Sequence, residues 1–297
     1  MRKLLAVLAV LSMLAMACSP EEEEAAPSAA PSGEALACDV ADLSLLNAGV
    51  LTVGTGNPAY PPWWEGGEDP AYEDWKINSP YNGKGFEGAF VAALASEMGF
   101  APDALEFVPV PFGKSYAPGP KDFDFVLQQI SYSDKRAQNV DFSQSYYDVN
   151  QALVALEDSS IAGATTMAEL KEAKLGAMSG TTSYDYIVSN IQPNTEPDVY
   201  PGLNEAIQDL KNGQIDGLVT DLPGAYYITA VQIPNGKIVG QFPPVGGQEY
   251  FALVFPKGSA LVPCVDQAIQ AMKDSGQLEA ITMEWLSAKT AAPFITE

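Results

Sequence analysis

The chain has 297 residues, with 38 acidic and 15 basic side chains and a formal net charge of −23 at pH 7. This acidic balance argues against a nucleic-acid-binding protein, which needs a basic face. Because the sequence contains no histidine, histidine-dependent nucleophilic catalysis and histidine-containing zinc sites are excluded.

The N-terminal residues are typical of an export signal. Arg2 and Lys3 precede an apolar run at 4–17, which is too short to span a membrane but suits the apolar region of a secretory signal. The run ends in AMAC, which resembles the lipobox of bacterial lipoproteins. That resemblance implies cleavage after residue 17 and a lipid on Cys18, whereas cleavage at an ordinary signal-peptidase site is the alternative. Both interpretations predict an exported protein, and the lipobox predicts a cell-surface or periplasmic lipoprotein.

Residues 18–37 are rich in Glu, Ala, Pro and Ser and contain almost no side chains to bury. Such a composition favours a disordered, extended segment, and we interpret it as an acidic tether. The remaining residues, 38–297, are long enough for one large or two medium domains. They contain no second apolar segment of membrane length.

The cysteines predict one disulfide. If Cys18 carries lipid, Cys38 and Cys264 remain as an even pair in an oxidising compartment. We expect them to join the start of the folded region to a C-terminal helix, and two buried free thiols are the alternative. Neither cysteine is spaced for a metal site, and we expect neither a metal nor a cofactor.

Strands and helices alternate along the folded region. The first half contains a buried strand at 50–55, a helix at 88–98, strands at 106–110 and 123–131, and a short helix from 133. The second half contains strands at 151–156, 175–178, near 199, 217–221 and 238–242, with helices at 167–172, 183–190, 203–212 and 222–231. A linker at 243–247 precedes a strand at 250–255 and helices at 260–275 and 278–286. This alternation favours an α/β fold with mostly parallel sheets.

The stretch GTGNPA at 54–59 matches a glycine-rich dinucleotide-binding pattern. That motif requires the glycines to open a helix, but Pro58, Pro61 and Pro62 prevent one here. The match is therefore accidental. We interpret the stretch as a buried strand followed by an extended aromatic lip.

Five stretches, in order along the chain, resemble the solute-binding proteins of polar amino acid ABC importers. They are VGTGNPAYPP, GKGFEGAFVAALASEMGF, FDFVLQQISYSDKRAQNVDFSQSYY, LGAMSGTTSYDY and NGQIDGLVTDLPGAYY. The resemblance implies a periplasmic-binding-protein-like type II fold, with two α/β lobes joined by a two-strand hinge and a ligand cleft between them. Lobe 1 is expected at 38–148 and 250–297, and lobe 2 at 151–245.

The resemblance also implies the partners. They are a free amino acid and the permease subunits of an ABC importer. We expect a monomer that contacts the membrane only through its lipid anchor, binds no nucleic acid and is not an enzyme.

A free amino acid presents a carboxylate and an ammonium group, so its receptor needs a cation and an anion. Arg136 suits the carboxylate, because guanidinium grips it with two parallel hydrogen bonds. From position alone, a surface residue of the SDKR turn is the favoured interpretation of Arg136. The resemblance implies that Arg136 binds the α-carboxylate and that Ser131 adds its amide and hydroxyl.

Two more residues complete the main-chain subsite of the ligand. Thr182 follows a strand that ends in Gly-Thr-Thr before a helix, where free backbone N–H groups favour an anion. Asp221 ends the strand GLVTD, the edge at which open α/β sheets bind ligands. The resemblance assigns the Thr182 amide to the carboxylate and Asp221 to the ammonium group, although each also suits a helix N-cap.

The side-chain subsite is less defined. The resemblance places Tyr60 and Phe112 against the ligand side chain, and Trp63 and Trp64 either add an aromatic wall or cover the lobe surface. Gln128 and Gln129 replace the small residues usual before Ser131. At least one of them, with Gln129 preferred, contacts the ligand or fills the core edge.

The long segment 64–83 carries acidic residues that either favour a cationic ligand or form a solvated loop. Together, the aromatic and amide side chains indicate a polar or cationic amino acid.

Two other functions remain open. One is an enzyme on the same fold, resembling cyclohexadienyl dehydratase, in which Asp221 or Glu87 serves as the acid. The other is a ligand sensor, which is disfavoured because the sequence carries no transmembrane or signalling domain after the binding region.

Overall fold

The computed structural model describes residues 38–286 and 292–297. The predictions for the signal peptide, for Cys18 and for the tether at 18–37 lie outside these residues. Within them, ten strands form two five-stranded sheets. The strands are β1 (Leu51–Thr55), β2 (Leu105–Pro109), β3 (Phe125–Val126), β4 (Val140–Asp148), β5 (Gln151–Leu156), β6 (Leu175–Met178), β7 (Asp198–Tyr200), β8 (Gly217–Asp221), β9 (Gly236–Gln241) and β10 (Tyr250–Pro256).

Each sheet mixes parallel and antiparallel pairs. The first has the order β2-β1-β3-β10-β4, and the second has the order β7-β6-β8-β5-β9. In the first sheet β1 pairs in parallel with β2 and β3, whereas β10 runs antiparallel to β3 and β4. In the second, β6 pairs in parallel with β7 and β8, whereas β5 runs antiparallel to β8 and β9. The carboxyl ends of β1, β6 and β8 therefore supply edges where a ligand can bind.

Helices flank both sheets. The described α-helices are α1 (Phe86–Glu97), α2 (Phe112–Ser115), α3 (Asp134–Ala137), α4 (Thr182–Tyr186), α5 (Leu203–Lys211), α6 (Leu222–Tyr227), α7 (Val262–Asp274) and α8 (Gln277–Leu286). The helices α4 and α6 continue into π-helical turns at Ile187–Ile191 and Ile228–Gln232. Among the described residues, no helix combines the length and apolarity needed to cross a bilayer.

The two sheets are the cores of two lobes, and the chain crosses between them side by side. One crossing joins β4 to β5, and the other joins β9 to β10. At the crossings the Val149 N–H donates to the Glu249 carbonyl at 2.9 Å, and the Gln248 side chain donates to the Val149 carbonyl at 2.9 Å. This pair of strands is the two-strand hinge that the sequence predicts.

The C-terminal tail departs from the predicted lobe boundary. The sequence analysis assigns 250–297 to lobe 1, but residues 292–297 lie against lobe 2. The Gln241 N–H donates to the Pro293 carbonyl, the Ile295 N–H donates to the Gln241 carbonyl, both at 2.8 Å, and the Ile295 side chain is buried in the lobe 2 core. The edge of β9 has unpaired backbone groups that an extended segment satisfies, which accounts for the return of the chain to lobe 2.

The third strand is much shorter than the predicted 123–131, because β3 covers only Phe125–Val126. After it the strand is interrupted where Gln129 adopts a left-handed conformation with φ of +50°, and pairing with β10 returns only as an isolated bridge between Ser131 and Phe251. Few residues other than glycine adopt this conformation. Residues 127–131 therefore form a turn at the cleft instead of strand.

Lobe 1 has a core rich in aromatic side chains, including Phe86, Phe90 and Phe251. Cys264, on α7, lies in this core and forms a disulfide with Cys38, with the two Cα atoms 5.5 Å apart. The predicted pairing is confirmed in the structure. Because both cysteines belong to lobe 1, the bond does not link the two lobes.

Candidate functional site

A cavity of about 630 Å³ lies between the lobes. Its volume falls in the range of small-molecule sites. Lobe 1 contributes the end of β1, the lip that follows it, the start of α2, the turn before α3 and Arg136. Lobe 2 contributes the ends of β6 and β8 and the first residues of α4 and α5. Loops and element ends from both lobes thus converge on one cavity.

Arg136 supplies the positive charge of this cavity. It lies on α3, whose first turn is capped by the Ser133 hydroxyl accepting from the Arg136 N–H at 3.3 Å. The residue is only 6% exposed, and this burial lowers the pKa of the guanidinium, which nevertheless stays protonated because arginine does not lose its proton in proteins.

The guanidinium of Arg136 contacts both lobes. Nη1 donates to the Ser131 carbonyl at 2.5 Å, and Nη2 donates to the Gly180 carbonyl of lobe 2 at 2.8 Å. The Tyr116 ring centre lies 4.5 Å from the guanidinium carbon. A guanidinium has five N–H donors, so these two bonds leave donors for an anion.

A hydrogen-bond network centred on Gln151 crosses the hinge. The Gln151 Nε2 donates to Asp221 Oδ1 at 2.9 Å and to Glu249 Oε2 at 3.0 Å, and the Gln151 Oε1 accepts from the Ser183 hydroxyl at 2.6 Å. The Ser131 hydroxyl donates to Glu249 Oε1 at 2.5 Å. Gln151 begins β5 and Glu249 precedes β10, so the network links lobe 1 to lobe 2 through both hinge strands.

Asp221 is the last residue of β8. Burial and, after it, the nearby Glu249 carboxylate raise the pKa of its carboxyl group, which is about 7. The Gln151 amide and the Arg136 charge oppose this shift. A carboxyl group in this state binds either a proton or a cation near neutral pH.

Glu87 lies on α1, behind the cavity wall. Burial raises the pKa of its carboxyl group to about 7. It accepts hydrogen bonds from the Tyr146 hydroxyl at 2.6 Å, from the Gln129 N–H at 2.9 Å and from Gln129 Nε2 at 2.5 Å. The two bonds from Gln129 stabilise the left-handed conformation of its backbone, and they use the nitrogen of its side-chain amide as a donor to Glu87.

The aromatic lip joins lobe 1 to lobe 2 across the cavity. The Tyr60 hydroxyl accepts a hydrogen bond from the Asn204 side chain at 2.6 Å. On the same side of the cleft, the Tyr116 hydroxyl donates to the Gly180 carbonyl at 3.1 Å. With the bond from Arg136 to Gly180, these contacts hold the lobes together over the cavity.

The two tryptophans belong to the lobe 1 core and also line the cavity. Trp63 packs edge-on against Phe86 and Phe251, with ring centres 6.0 and 5.7 Å apart, and Trp64 packs edge-on against Phe107 at 5.8 Å. The two tryptophan rings therefore form one wall of the cavity, and the aromatic core of lobe 1 packs against them on the other side.

The acidic segment 64–83 forms part of the lobe 1 surface. Its carboxylates at Glu65, Glu68, Asp69, Glu73 and Asp74 are not among the described residues that line the cavity. The Asn57 side chain holds the segment by donating to the Asp74 carbonyl at 2.8 Å and accepting from the Lys76 N–H at 3.0 Å. This arrangement agrees with a solvated acidic loop.

Comparison with known proteins identifies the family. Residues 67–288 match the family model described as bacterial extracellular solute-binding proteins, family 3. The chain belongs to this family.

Relatives of this family 3 chain include the L-cystine-binding protein TcyJ of Escherichia coli strain K12. The two are 27% identical over 253 residues, which cover 84% of this chain and 88% of the relative. An ancestral arginine-binding protein, whose solved structure contains glutamine, is 27% identical, with a TM-score of 0.64 over 80% of this chain and 97% of its own.

A second solved structure is the ancestral amino acid-binding protein AncCDT-1, described as a precursor of cyclohexadienyl dehydratase. It is 26% identical, with a TM-score of 0.63 over 80% of this chain and 95% of its own. These likenesses, together with the two sheets, confirm the predicted two-lobe type II fold.

The structure brings the sequence-predicted ligand residues of this family 3 protein together. All eight line the cavity: Tyr60, Trp63, Phe112, Gln129, Ser131, Arg136, Thr182 and Asp221. Within residues 38–286 and 292–297, no group of three or more His, Cys, Asp or Glu side chains is arranged to hold a metal ion.

Sequence reasoning missed several polar residues of the site, among them Gln151, Glu249, Tyr116 and Asn204. Gln151 and Glu249 lie beside the two crossings of the predicted hinge, so the sequence indicates that both are near the hinge. Their shared contact with Asp221 depends on how the crossings pair in space. Tyr116 and Asn204 act across the cleft, and nothing in the local sequence indicates such contacts.

Proposed function

We propose that this protein captures a free polar or cationic amino acid between its lobes and delivers it to the permease of an ABC importer. The observation that carries this proposal is the convergence of Arg136 and Asp221, of opposite charge, on one cavity between the lobes. A free amino acid carries the matching pair of charges on one carbon. The family membership and the amino acids named for the relatives support the same function.

In this proposal Arg136 grips the α-carboxylate, and the backbone N–H groups of Ser131 and Thr182 add hydrogen bonds to it, since the Ser131 hydroxyl already donates to Glu249. The guanidinium has donors to spare, and the Ser131 and Thr182 hydroxyl oxygens lie 3.4 Å apart. Asp221 accepts the α-ammonium group. Two charge-assisted contacts of this kind fix the orientation of the ligand and distinguish an amino acid from an amine or a simple acid.

The ligand side chain extends along the aromatic lip. Tyr60 and Phe112 flank it, Trp63 forms one wall, and the Gln129 carbonyl oxygen is available as an acceptor because Glu87 holds the amide nitrogen. Aromatic faces accept both apolar and cationic groups.

Closure provides the signal to the permease. A ligand that contacts Arg136 in lobe 1 and Asp221 in lobe 2 stabilises the closed arrangement over the open one. The importer then distinguishes the loaded protein from the empty one. This role requires no chemical step, and we propose that the protein is not an enzyme.

We also propose export as a lipoprotein anchored through Cys18, with lobe 1 and lobe 2 held at the membrane surface by the tether at 18–37. Expression of the full chain and of Cys18→Ser in a bacterial host tests this. The full chain is expected in the membrane fraction, and Cys18→Ser is expected in the soluble fraction. Equal partition of the two proteins excludes the lipid anchor.

A thermal-shift screen against the free amino acids tests the binding function. One chemical class of amino acid is expected to raise the melting temperature of the protein, and Arg136→Ala and Asp221→Ala are expected to abolish that rise. Lys135→Ala is the matched control, because Lys135 neighbours Arg136 on α3 but is exposed. If Arg136→Ala binds as the control does, the site assignment is wrong.

A dehydratase is the second candidate function, and the raised pKa of Asp221 favours it, since a carboxyl group with a pKa of about 7 suits a general acid. Incubation with prephenate or arogenate separates the two functions. Formation of an aromatic product that depends on Asp221 would establish the enzyme, and its absence alongside amino acid binding supports the carrier.

A further inference from the structure

The charges of the cavity do not balance for a neutral amino acid. Among the described residues that line the cavity, the charged side chains are Arg136, Asp221 and Glu205. The α-carboxylate and α-ammonium groups of any amino acid pair with Arg136 and Asp221 as proposed above. One negative charge, that of Glu205, then has no counterpart unless the ligand side chain supplies it.

Glu205 lines the part of the cavity where lobe 2 meets the aromatic lip. It is the third residue of α5, in lobe 2, and its neighbour Asn204 donates to the Tyr60 hydroxyl at 2.6 Å. The start of α5 therefore meets the aromatic lip of lobe 1. A Cβ atom placed on Gly202, the N-cap of α5, which also lines the cavity, falls 2.7 Å from Glu205 Oε2. The exposed carboxylate therefore lies at the start of α5, on the rim of the cavity.

The Glu205 carboxylate has no hydrogen bond or ion pair with any described residue. Other polar side chains near the lip each have a hydrogen-bond partner within the protein. Asn57 holds the surface segment, Gln129 Nε2 donates to Glu87, and Gln128 Oε1 accepts from the Ser115 hydroxyl at 3.4 Å. Glu205 is thus an unpaired anion at the side-chain end of the cavity.

We propose that Glu205 is a specificity-determining residue, which selects amino acids whose side chain ends in a positive charge, such as arginine or lysine. This inference rests on the proposed function. A cationic side chain lies along the Tyr60 and Phe112 rings of lobe 1 and ends at Glu205 of lobe 2. The aromatic faces and the carboxylate both attract the cation.

This arrangement also links side-chain recognition to closure. The aromatic rings belong to lobe 1 and the carboxylate belongs to lobe 2, so the cation meets both only when the lobes are together. A neutral side chain gains the aromatic contacts but leaves Glu205 unpaired. Cationic ligands consequently stabilise the closed arrangement more than neutral ligands of the same shape.

Arginine and citrulline form the decisive ligand pair, because citrulline has the same shape and a neutral end group. Isothermal titration of the purified protein is expected to show about fivefold tighter binding of arginine, which is the upper end of the range for an exposed ion pair. Glu205→Gln is expected to remove this preference and to leave the citrulline affinity unchanged. Glu205→Lys is expected to weaken arginine binding further while citrulline still binds.

Glu279→Gln is the matched control. Glu279 is also the third residue of its helix, α8, and is exposed, but it lies in lobe 1 outside the cavity lining. Any loss from removing a carboxylate in a first helical turn affects both variants alike and does not discriminate between arginine and citrulline. A thermal melt of each variant confirms that it is folded.

The outcomes separate this inference from the proposed function. If Glu205→Gln keeps the preference for arginine, or if the unmodified protein binds neutral amino acids but neither arginine nor lysine, the role of Glu205 is overturned and amino acid capture stands. If no free amino acid binds, the proposed function fails, and this inference fails with it.

Discussion

At the scale of single residues, Asp221 gives the site a dependence on pH. Burial and the Glu249 carboxylate bring its pKa to about 7 despite the opposing Arg136 charge and Gln151 amide, and Glu87 adds to the rise. The ligand ammonium group binds the ionised form of Asp221. As the pH falls below about 7, protons compete with the ligand, and ligand binding releases a proton.

We therefore expect the affinity for the amino acid to weaken below about pH 7, by at most about tenfold per pH unit, since one proton is involved. Isothermal titration from pH 5 to 8 measures this. Glu249→Gln removes the second-largest cause of the raised pKa of Asp221. In this variant the affinity is therefore expected to start falling at a lower pH than in the unmodified protein. An affinity that stays constant from pH 8 to pH 5 contradicts the assignment of Asp221.

Glu87 gives a corresponding prediction for stability. Its pKa rises from the ordinary value of 4.5 to about 7 in the folded protein, so the folded state holds the proton more tightly than the unfolded state. The stability from this proton is fully present below about pH 4.5 and is lost as the pH rises to about 7.

In urea unfolding experiments, the free energy of unfolding of the unmodified protein relative to Glu87→Gln is expected to decrease between about pH 4.5 and 7, and to stay constant above. Glutamine keeps the shape of the side chain but does not titrate, so the comparison removes the contribution of the other carboxyl groups. A difference that does not vary with pH contradicts a titrating Glu87.

At the scale of elements, the turn between β6 and α4 is the most sensitive part of the cleft. Gly180 has φ of +73°, and its carbonyl accepts from both Arg136 and Tyr116. A Cβ atom there lies 2.7 Å from the Tyr116 hydroxyl oxygen. Alanine at this position therefore strains the backbone and pushes the lobes apart.

Gly180→Ala is expected to weaken ligand binding and to lower the free energy of unfolding by about 1 kcal/mol. Gly213→Ala is the control, because Gly213 has φ of +66° but no atom within 4 Å of the added Cβ. It is expected to lose similar stability and to keep its affinity, as measured by chemical unfolding and titration. Equal affinities for both variants contradict the closing role of this turn.

The same scale shows how far the sequence predicts the structure. The long elements with clear hydrophobic patterns, such as β1, α1, β8 and α7, lie close to their predicted positions. The strand predicted at 123–131 was too long, because the buried Glu87 carboxylate draws Gln129 into a left-handed turn. No pattern in residues 123–131 reports a hydrogen-bond partner on α1.

The sequence likewise predicts some residues of the site and misses others. Tyr60, Ser131, Arg136, Thr182 and Asp221 lie in stretches that match a known family, and all of them line the cavity. The residues that act across the hinge or the cleft, including Glu249 and Asn204, have no such signal. Their contacts depend on the pairing of distant segments, which local sequence does not encode.

At the scale of the whole molecule, the disulfide stabilises one lobe and leaves the other free to move. Cys38 and Cys264 are 226 residues apart in the sequence but lie in the same lobe. Replacing both by serine is expected to cost about 2–4 kcal/mol of unfolding free energy, measured by chemical denaturation, with ligand affinity unchanged at 25 °C. A large loss of affinity in the folded variant contradicts a purely stabilising bond.

The central claim concerns a ligand held by both lobes at once. A crystal structure of the protein with a bound amino acid tests it most directly. We expect the α-carboxylate on the Arg136 guanidinium, the α-ammonium group on Asp221 and the side chain along Tyr60 towards Glu205. A ligand that binds outside this cavity, or that contacts neither Arg136 nor Asp221, contradicts the account.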